Sequence, residues 1–347
     1  MPENFDPSGV AVRNGNFFGF PYSPEEAEIV ILSCPWDVTT SYKDGASLGP
    51  AAILDASYQL DFFSPYRAEA WKTKIATLPF SPSWKEKNIS LRREAKSVID
   101  ALEQGASTDS QKTNLARINS ESAMVHSELE AAARKWLSQG KKVLTLGGDH
   151  SVSFGPIRAL AEKRKFSVLH IDAHADLRVG YEGFEHSHAS IMHHVAGMEA
   201  IDSLVQVGLR DVSPEEHDTI EKNPKITAFF DWDLRRMTAR GVTWQQQCKS
   251  IVENLGKEVY LSVDVDGLDP KYCPGTGTPV PGGLEYWELF TLLEEVEASG
   301  RVFVGADLVE VAPSRDSDWD ANVGARILFQ LCQFLRKRDA RHMNGSK

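Results

Sequence analysis

The stretch Ser167 to Arg178, SVLHIDAHADLR, limits the fold of this chain more than any other, because a short apolar run leads directly into three acid and imidazole side chains. Val168, Leu169 and Ile171 suit a strand covered on both faces, as in a parallel sheet with helices above and below it. Asp172, His174 and Asp176 follow at a spacing of two residues, so in extended chain their side chains point to one side. Open α/β sheets bind ligands beyond the carboxyl ends of their strands, which is where this D-x-H-x-D falls.

Two further stretches repeat the design. Lys142 to His150, KVLTLGGDH, is an apolar strand ending in two glycines, an acid and a histidine, and Tyr260 to Pro270, YLSVDVDGLDP, carries Asp264 and Asp266 at the same spacing. A single D-x-D after a strand reads as a turn or a helix cap. Three such strand ends together gather His150, Asp172, His174, Asp176, Asp264 and Asp266, two imidazoles and four carboxylates, and that set argues for metal. Four crowded carboxylates cannot all ionise without strong repulsion, and two divalent cations cancel their charge. Oxygen-rich ligation with two histidines suits Mn²⁺ first and Ni²⁺, Co²⁺ or Fe²⁺ next, while the lack of cysteine ligands argues against a structural zinc site. Two metals about 3.5 to 4 Å apart hold a hydroxide of depressed pKa. With that hydroxide the cluster stands near minus one, suited to a cationic substrate.

These motifs have a family likeness. GGDHS at Gly147 to Ser151, DAHAD at Asp172 to Asp176, SVDVDGLDP at Ser262 to Pro270, GTGTPVPGG at Gly275 to Gly283 and DLVEVAP at Asp307 to Pro313 resemble the ureohydrolases, the arginase and agmatinase family, over about residues 29 to 335. The resemblance implies a three-layer α/β/α domain with a central parallel sheet of about eight strands. It implies two divalent ions per chain, Mn²⁺ or Ni²⁺, and hydrolysis of a guanidino group to urea and an amine. By the same resemblance Asp176 relays a proton, His188 shuttles protons with His186 as the alternative, and Thr278 lines the substrate pocket. Glu310, an acid on an apolar strand, reads either as the partner of an arginine such as Arg326 or, by resemblance, as the bidentate acceptor of the guanidinium.

Departures from the family narrow the substrate. Arginases hold an α-carboxylate with an Asn and a Ser/Thr-rich loop after D-x-H-x-D, and an α-amino group with an Asp after GLRDV; this chain has RVGYEGFEHSHAS in the first place and Ser213 in the second. Free arginine is therefore a poor fit. NGNFFGFPY, PWDVTTSY and QLDFF in the first ninety residues resemble the longer agmatinase-like branch that includes nickel-dependent guanidine hydrolases. Guanidine moves ahead of agmatine on that resemblance; guanidinobutyrate, a biguanide such as metformin and formimidoylglutamate are the alternatives. A single-zinc deacetylase relative and a non-catalytic subunit are disfavoured, because no ligand is missing. The family implies a homo-oligomer, trimer or hexamer, and a nickel form implies a metal-delivery accessory protein.

The ligand positions, from 150 to 266, would be split by a domain boundary between them, so the 347 residues are expected to form an arm (1–27), one domain (28–338) and a tail (339–347). A net charge of −11 argues against nucleic acid or an anionic membrane as partner. Four scattered cysteines and the lack of a long apolar run read as a reduced, cytoplasmic protein. The periodicity predicts helices over 91–103, 119–139, 233–255 with a break near Gly241, and 286–298. Ser213 before Pro214 also reads as a helix cap, His126 as an ordinary helix residue, and Gln245 to Gln247 as solvated surface.

Overall fold

The computed structural model describes residues 5–79 and 81–336. Eight strands among them form one sheet: β1 (Ile29–Cys34), β2 (Ile75–Thr77), β3 (Lys142–Gly147), β4 (Phe166–Ile171), β5 (Ile201–Leu209), β6 (Ile226–Phe230), β7 (Glu258–Asp264) and β8 (Val302–Val309). Their order across the sheet is β2-β1-β3-β8-β7-β4-β5-β6, and every pairing is parallel. β1 and β4 are buried along their whole length, as expected of strands covered on both faces.

Alternate residues of each strand feed different cores. Ile29 and Ile31 of β1, Leu169 and Ile171 of β4, and Val259, Leu261 and Val263 of β7 pack in one layer with α8 (Trp244–Val252), α9 (Tyr286–Ala298) and α10 (Trp319–Leu335). On the other face, Val30 and Leu32 pack with α2 (Pro82–Glu103) and α3 (Lys112–Leu137), while Phe166 and Val168 pack with α4 (Phe154–Ala161) and α5 (Ile191–Ala196). Helices α1 (Gly49–Ser57), α6 (Pro214–Lys222) and α7 (Asp231–Ala239) complete the three layers. None of the described helices is long and apolar enough to cross a membrane.

The strand order explains the site. β3, β8, β7 and β4 are neighbours in space although they are far apart in sequence, so the chain leaving each of them delivers its side chains to one rim. Glycines permit the close approach there. A Cβ on Gly148 would lie 1.9 Å from the carbonyl oxygen of Trp36, and one on Gly267 would lie 2.7 Å from the nitrogen of Asp172.

Two sequence expectations need correction, and the N-terminal arm, which the sequence leaves free to lie on the body or on a neighbouring subunit, goes to the body. Helices α2 and α3 begin at Pro82 and Lys112, earlier than the apolar stripe suggests, because their first turns are largely solvent-facing and carry little periodic signal. Residues from the expected N-terminal arm enter the core of their own chain. Phe17, Phe18 and Phe20 are fully buried, Phe18 meets Phe329 of α10 at 5.2 Å and Phe20 meets Phe62 at 5.0 Å between ring centroids. Phe17 N donates to Thr77 Oγ1 of β2 at 2.8 Å. Each such ring contributes about 1.5 to 3 kcal/mol by burial. Gln247 is buried rather than solvated, with its amide donating to Thr238 Oγ1 and the carbonyl of Val242. The expected tail, 339–347, lies outside the described residues.

Candidate metal centre

The six expected ligands meet at the carboxyl rim of the sheet. A short helical turn after β3 carries His150, with Asp149 capping it through Ser151 N at 3.0 Å. Beyond β4, Asp172 Oδ1 accepts from His174 N at 2.6 Å, which folds the D-x-H run back on itself. Beyond β7, Asp264 Oδ1 accepts from Asp266 N at 2.8 Å, and Asp266 Oδ1 accepts from Ala173 N at 3.1 Å, tying the two motifs together.

Two groups of ligand atoms result. His150, Asp172 and Asp176 converge in one, with His170 beside them; Asp172, His174 and Asp266 converge in the other. Asp172 belongs to both. His150 Nδ1 faces Asp172 Oδ2 and Asp176 Oδ2 at 3.1 Å each and Asp264 Oδ2 at 3.6 Å. His174 Nδ1 lies 3.1 Å from Asp266 Oδ2 and 3.4 Å from Asp172 Oδ1.

The residues fit a pair of divalent cations. His150 Nδ1 is buried without a hydrogen-bond partner although its other nitrogen lies 2.8 Å from Ser262 Oγ, and three carboxylate oxygens surround it. The charges point the same way. Burial, then repulsion from Asp266 and Asp172, pushes the Asp264 carboxyl well above its ordinary range. Burial followed by repulsion from Asp172 raises Asp176 to about 6. Burial opposes the charging of His150, yet the carboxylates of Asp172, Asp176 and Asp264 outweigh it and raise that imidazole. The protein's own groups leave the cluster short of positive charge, and protons or cations must supply it.

A cavity of about 150 Å³ opens onto the cluster. Asp176, Asp264, Glu310, Thr278 and His188 line it together with His174. Glu310 Oε1 accepts from His150 N at 2.9 Å, so the pairing with Arg326 considered from sequence does not form; Arg326 bonds to Asn322 on its own helix. Burial, then Asp149, raises the Glu310 carboxyl. Of the five non-glycine residues with positive φ among those described, two are Asp176 (54°) and Glu310 (65°). Such backbone costs on the order of 1 to 3 kcal/mol and concentrates at functional sites.

Ser213 and His186 lie elsewhere. The Ser213 hydroxyl donates to Glu216 Oε2 and accepts from Glu216 N, a capping box that starts α6 and uses up the side chain. Ser187 caps a tight turn over His188–Ser190, which turns His188 to the cavity and leaves His186 against His126 at 5.0 Å and His194 at 5.5 Å.

Sequence reasoning missed the residues that support the ligands. Ser262 Oγ donates to Asp307 Oδ1 at 2.9 Å and holds His150; His170 Nε2 lies 2.9 Å from Asp172 Oδ2. The period of two could have found them, since His170 stands two before Asp172 and Ser262 two before Asp264. Arg178, Tyr181 and Asp211 form the more exposed wall of the cavity, with the Arg178 guanidinium 4.6 Å over the Tyr181 ring, and the buried Glu216 lines it as well.

Comparison with known proteins agrees with this geometry. A family model described as the arginase family matches residues 27–333. The chain is 35% identical over 295 residues to an N(1)-aminopropylagmatine ureohydrolase of Thermus thermophilus, covering 85% of each chain. It is 32% identical over 303 residues to an agmatinase of Bacillus anthracis, covering 87% of this chain and 89% of the other. The crystal structure of an agmatine ureohydrolase of Thermoplasma volcanium shares the fold, with a TM-score of 0.69 at 24% identity over 92% of this chain and 94% of that one. The protein belongs to the arginase family, a family that depends on a dinuclear metal centre. Within it, the chain falls on the agmatinase-like ureohydrolase side.

Proposed function

We propose that the protein is a ureohydrolase that cleaves the guanidino C–N bond of a small cationic compound, releasing urea and an amine or ammonia. The carrying observation is that Glu310, buried and presented by a positive-φ backbone, shares a cavity of about 150 Å³ with Asp176 and the ligand carboxylates. A carboxylate fits a guanidinium with two parallel, charge-assisted hydrogen bonds, which would hold the central carbon toward the cluster. Thr278 adds a hydroxyl to the same wall.

His150, Asp172, His174, Asp176, Asp264 and Asp266 would hold two divalent ions, which supply an activated water at neutral pH and offset negative charge developing on the reacting carbon's substituents. Asp176 lines the same cavity as Glu310 and would be placed to relay a proton between the attacking water and the leaving amine. His188 lines the cavity wall, where it would exchange protons with solvent; burial, then His174 and His150, holds its imidazole down at about 3, so without bound cations it stands neutral there.

The small cavity supports guanidine itself as substrate, with agmatine the second reading because relatives bear the names agmatinase and aminopropylagmatine ureohydrolase. The donor set suits Mn²⁺ and Ni²⁺ alike. With this reading go a homo-oligomer, trimer or hexamer, and a cytoplasmic setting; light scattering on the purified protein tests the first.

The test is urea release from guanidine, agmatine, aminopropylagmatine, arginine and guanidinobutyrate after separate loading with Mn²⁺ and Ni²⁺. Turnover of guanidine in preference to the rest is expected. Preference for agmatine would move the protein to the second reading, and no urea from any of them with two ions bound would overturn the activity.

A further inference from the structure

Two fully buried imidazoles, His150 and His170, stand with ring centroids 5.1 Å apart beside the same carboxylate, and residue type alone would let either serve as a ligand. Their remote nitrogens distinguish them. Ser262 Oγ donates its one proton to Asp307 at 2.9 Å, so toward His150 Nε2, at 2.8 Å, it accepts. A proton therefore sits on Nε2 of His150, and Nδ1 is the nitrogen turned to the cluster, where a bound cation would displace any proton it carries.

His170 is arranged in the opposite sense. Gln206 Nε2 lies 2.7 Å from the carbonyl oxygen of Ala175, a contact that only the NH₂ end of the amide can make. Turning that amide over would bring two oxygens together. Its second proton then points at His170 Nδ1, 2.9 Å away, which must accept. The His170 proton sits on Nε2 and is donated to Asp172 Oδ2 at 2.9 Å. A protonated nitrogen has no lone pair for a cation. Gln206 Oε1 is meanwhile buried without a hydrogen-bond partner among the described residues, a cost of about 1 to 3 kcal/mol that the fold tolerates while keeping the amide in this orientation.

We propose that His170 is a positioning residue and not a metal ligand: Gln206 holds it in the tautomer that donates to Asp172, the carboxylate common to both ligand groups. Asp172 Oδ1 is already held by His174 N at 2.6 Å. With His170 on Oδ2, both oxygens are oriented and each keeps a lone pair for an ion. This rests on the dinuclear reading above and extends it to the residues that aim the shared ligand.

Calorimetric titration of metal-stripped full-length protein with Mn²⁺, and separately with Ni²⁺, tests the idea without any substrate, so it reads out even if no guanidino compound is turned over. Wild type is expected to bind two ions per chain. His170→Gln, whose amide nitrogen can take the place of Nε2 and donate to Asp172, should stay close to wild-type affinity. His170→Ala and Gln206→Glu should still bind two ions but about 10- to 100-fold more weakly. The new carboxylate in Gln206→Glu would accept from Nδ1 and turn His170 into an imidazolium that donates on both sides, so its positive charge on Asp172 competes with the ions. If His170→Ala binds only one ion, His170 is a ligand and the proposal falls; if Gln206→Glu binds as tightly as wild type, the tautomer has no role and it falls as well. Should His170→Ala fail to fold, the Gln and Glu variants decide between them: a tenfold or larger difference supports the proposal and equal affinities overturn it.

Discussion

The molecule holds two gatherings of imidazoles, and they differ in how their nitrogens are satisfied. At the carboxyl rim of the sheet, His150, His170 and His174 each face named carboxylate oxygens and sit on strands or turns that aim them. Between α3, α4, α5 and the loop after β4, His126, His186 and His194 lie ring against ring around Phe154, and neither nitrogen of the buried His126 has a hydrogen-bond partner among the described residues. Burial, followed by the nearby His186 and His194, holds His126 down at about 3, so it packs as a neutral ring. Proximity of histidines is thus not enough to make a site. Carboxylates that need compensating charge, and neighbours that choose the protonated nitrogen, separate a ligand from a packing residue.

The comparison breaks most visibly at the shared carboxylate. Asp172→Ala should lose bound metal and at least about a thousandfold in urea release, since both ligand groups lose a member and the activated water with it; retention of two ions by elemental analysis would deny Asp172 its shared role. Glu310→Gln should keep both ions and lose about 10² to 10³ in kcat/KM, the scale of a broken buried charge pair of about 2 to 5 kcal/mol. Loss of metal together with activity would make Glu310 a support of His150 instead. A smaller effect is expected for His188→Ala, about 10² in kcat with little change in KM, as for a lost proton-transfer group; an unchanged kcat in steady-state assays would remove it from the proton path.

The other gathering should answer only in stability. An unfolded His126 takes up a proton below about 6.5, but the folded protein refuses it until about 3. Stability is therefore lost as pH falls from about 6.5 toward 3, by up to about 1.4 kcal/mol per unit. His126→Leu should leave activity and metal content alone, match wild type near pH 7 and exceed it in urea denaturation near pH 4.5. An identical pH dependence in both proteins would show that His126 is satisfied by groups other than those described.

Much of the rim was legible in the sequence because its signals are local. A D-x-H-x-D at the end of an apolar run, a GGDH and a D-x-D each declare a strand outlet, and spacing alone indicates which side chains share a side. The supporting residues were harder to read. His170 lies inside an apolar strand, Gln206 sits on a different strand 36 residues away, and nothing in either segment indicates that they bond. Ser213 illustrates the same limit from the other direction. Its dual reading, cap or substrate contact, was decided by where Glu216 could reach. Gln247 looked solvated as the third of three glutamines, yet its side chain is buried and Thr238 on the preceding helix gives its amide a partner.

The sequence by itself determined the strands, the six ligand-type residues at their ends and the acidic excess that calls for cations, since each follows from side-chain chemistry and periods of two or 3.6 residues. Tertiary structure decided which strands stand side by side, and so that β3, β8, β7 and β4 empty into one cavity. It also drew Phe17, Phe18 and Phe20 into the core and turned different ring nitrogens of His150 and His170 to the cluster. Those outcomes depend on partners far away along the chain, and a hydrogen bond or a buried contact is specified by both of its ends.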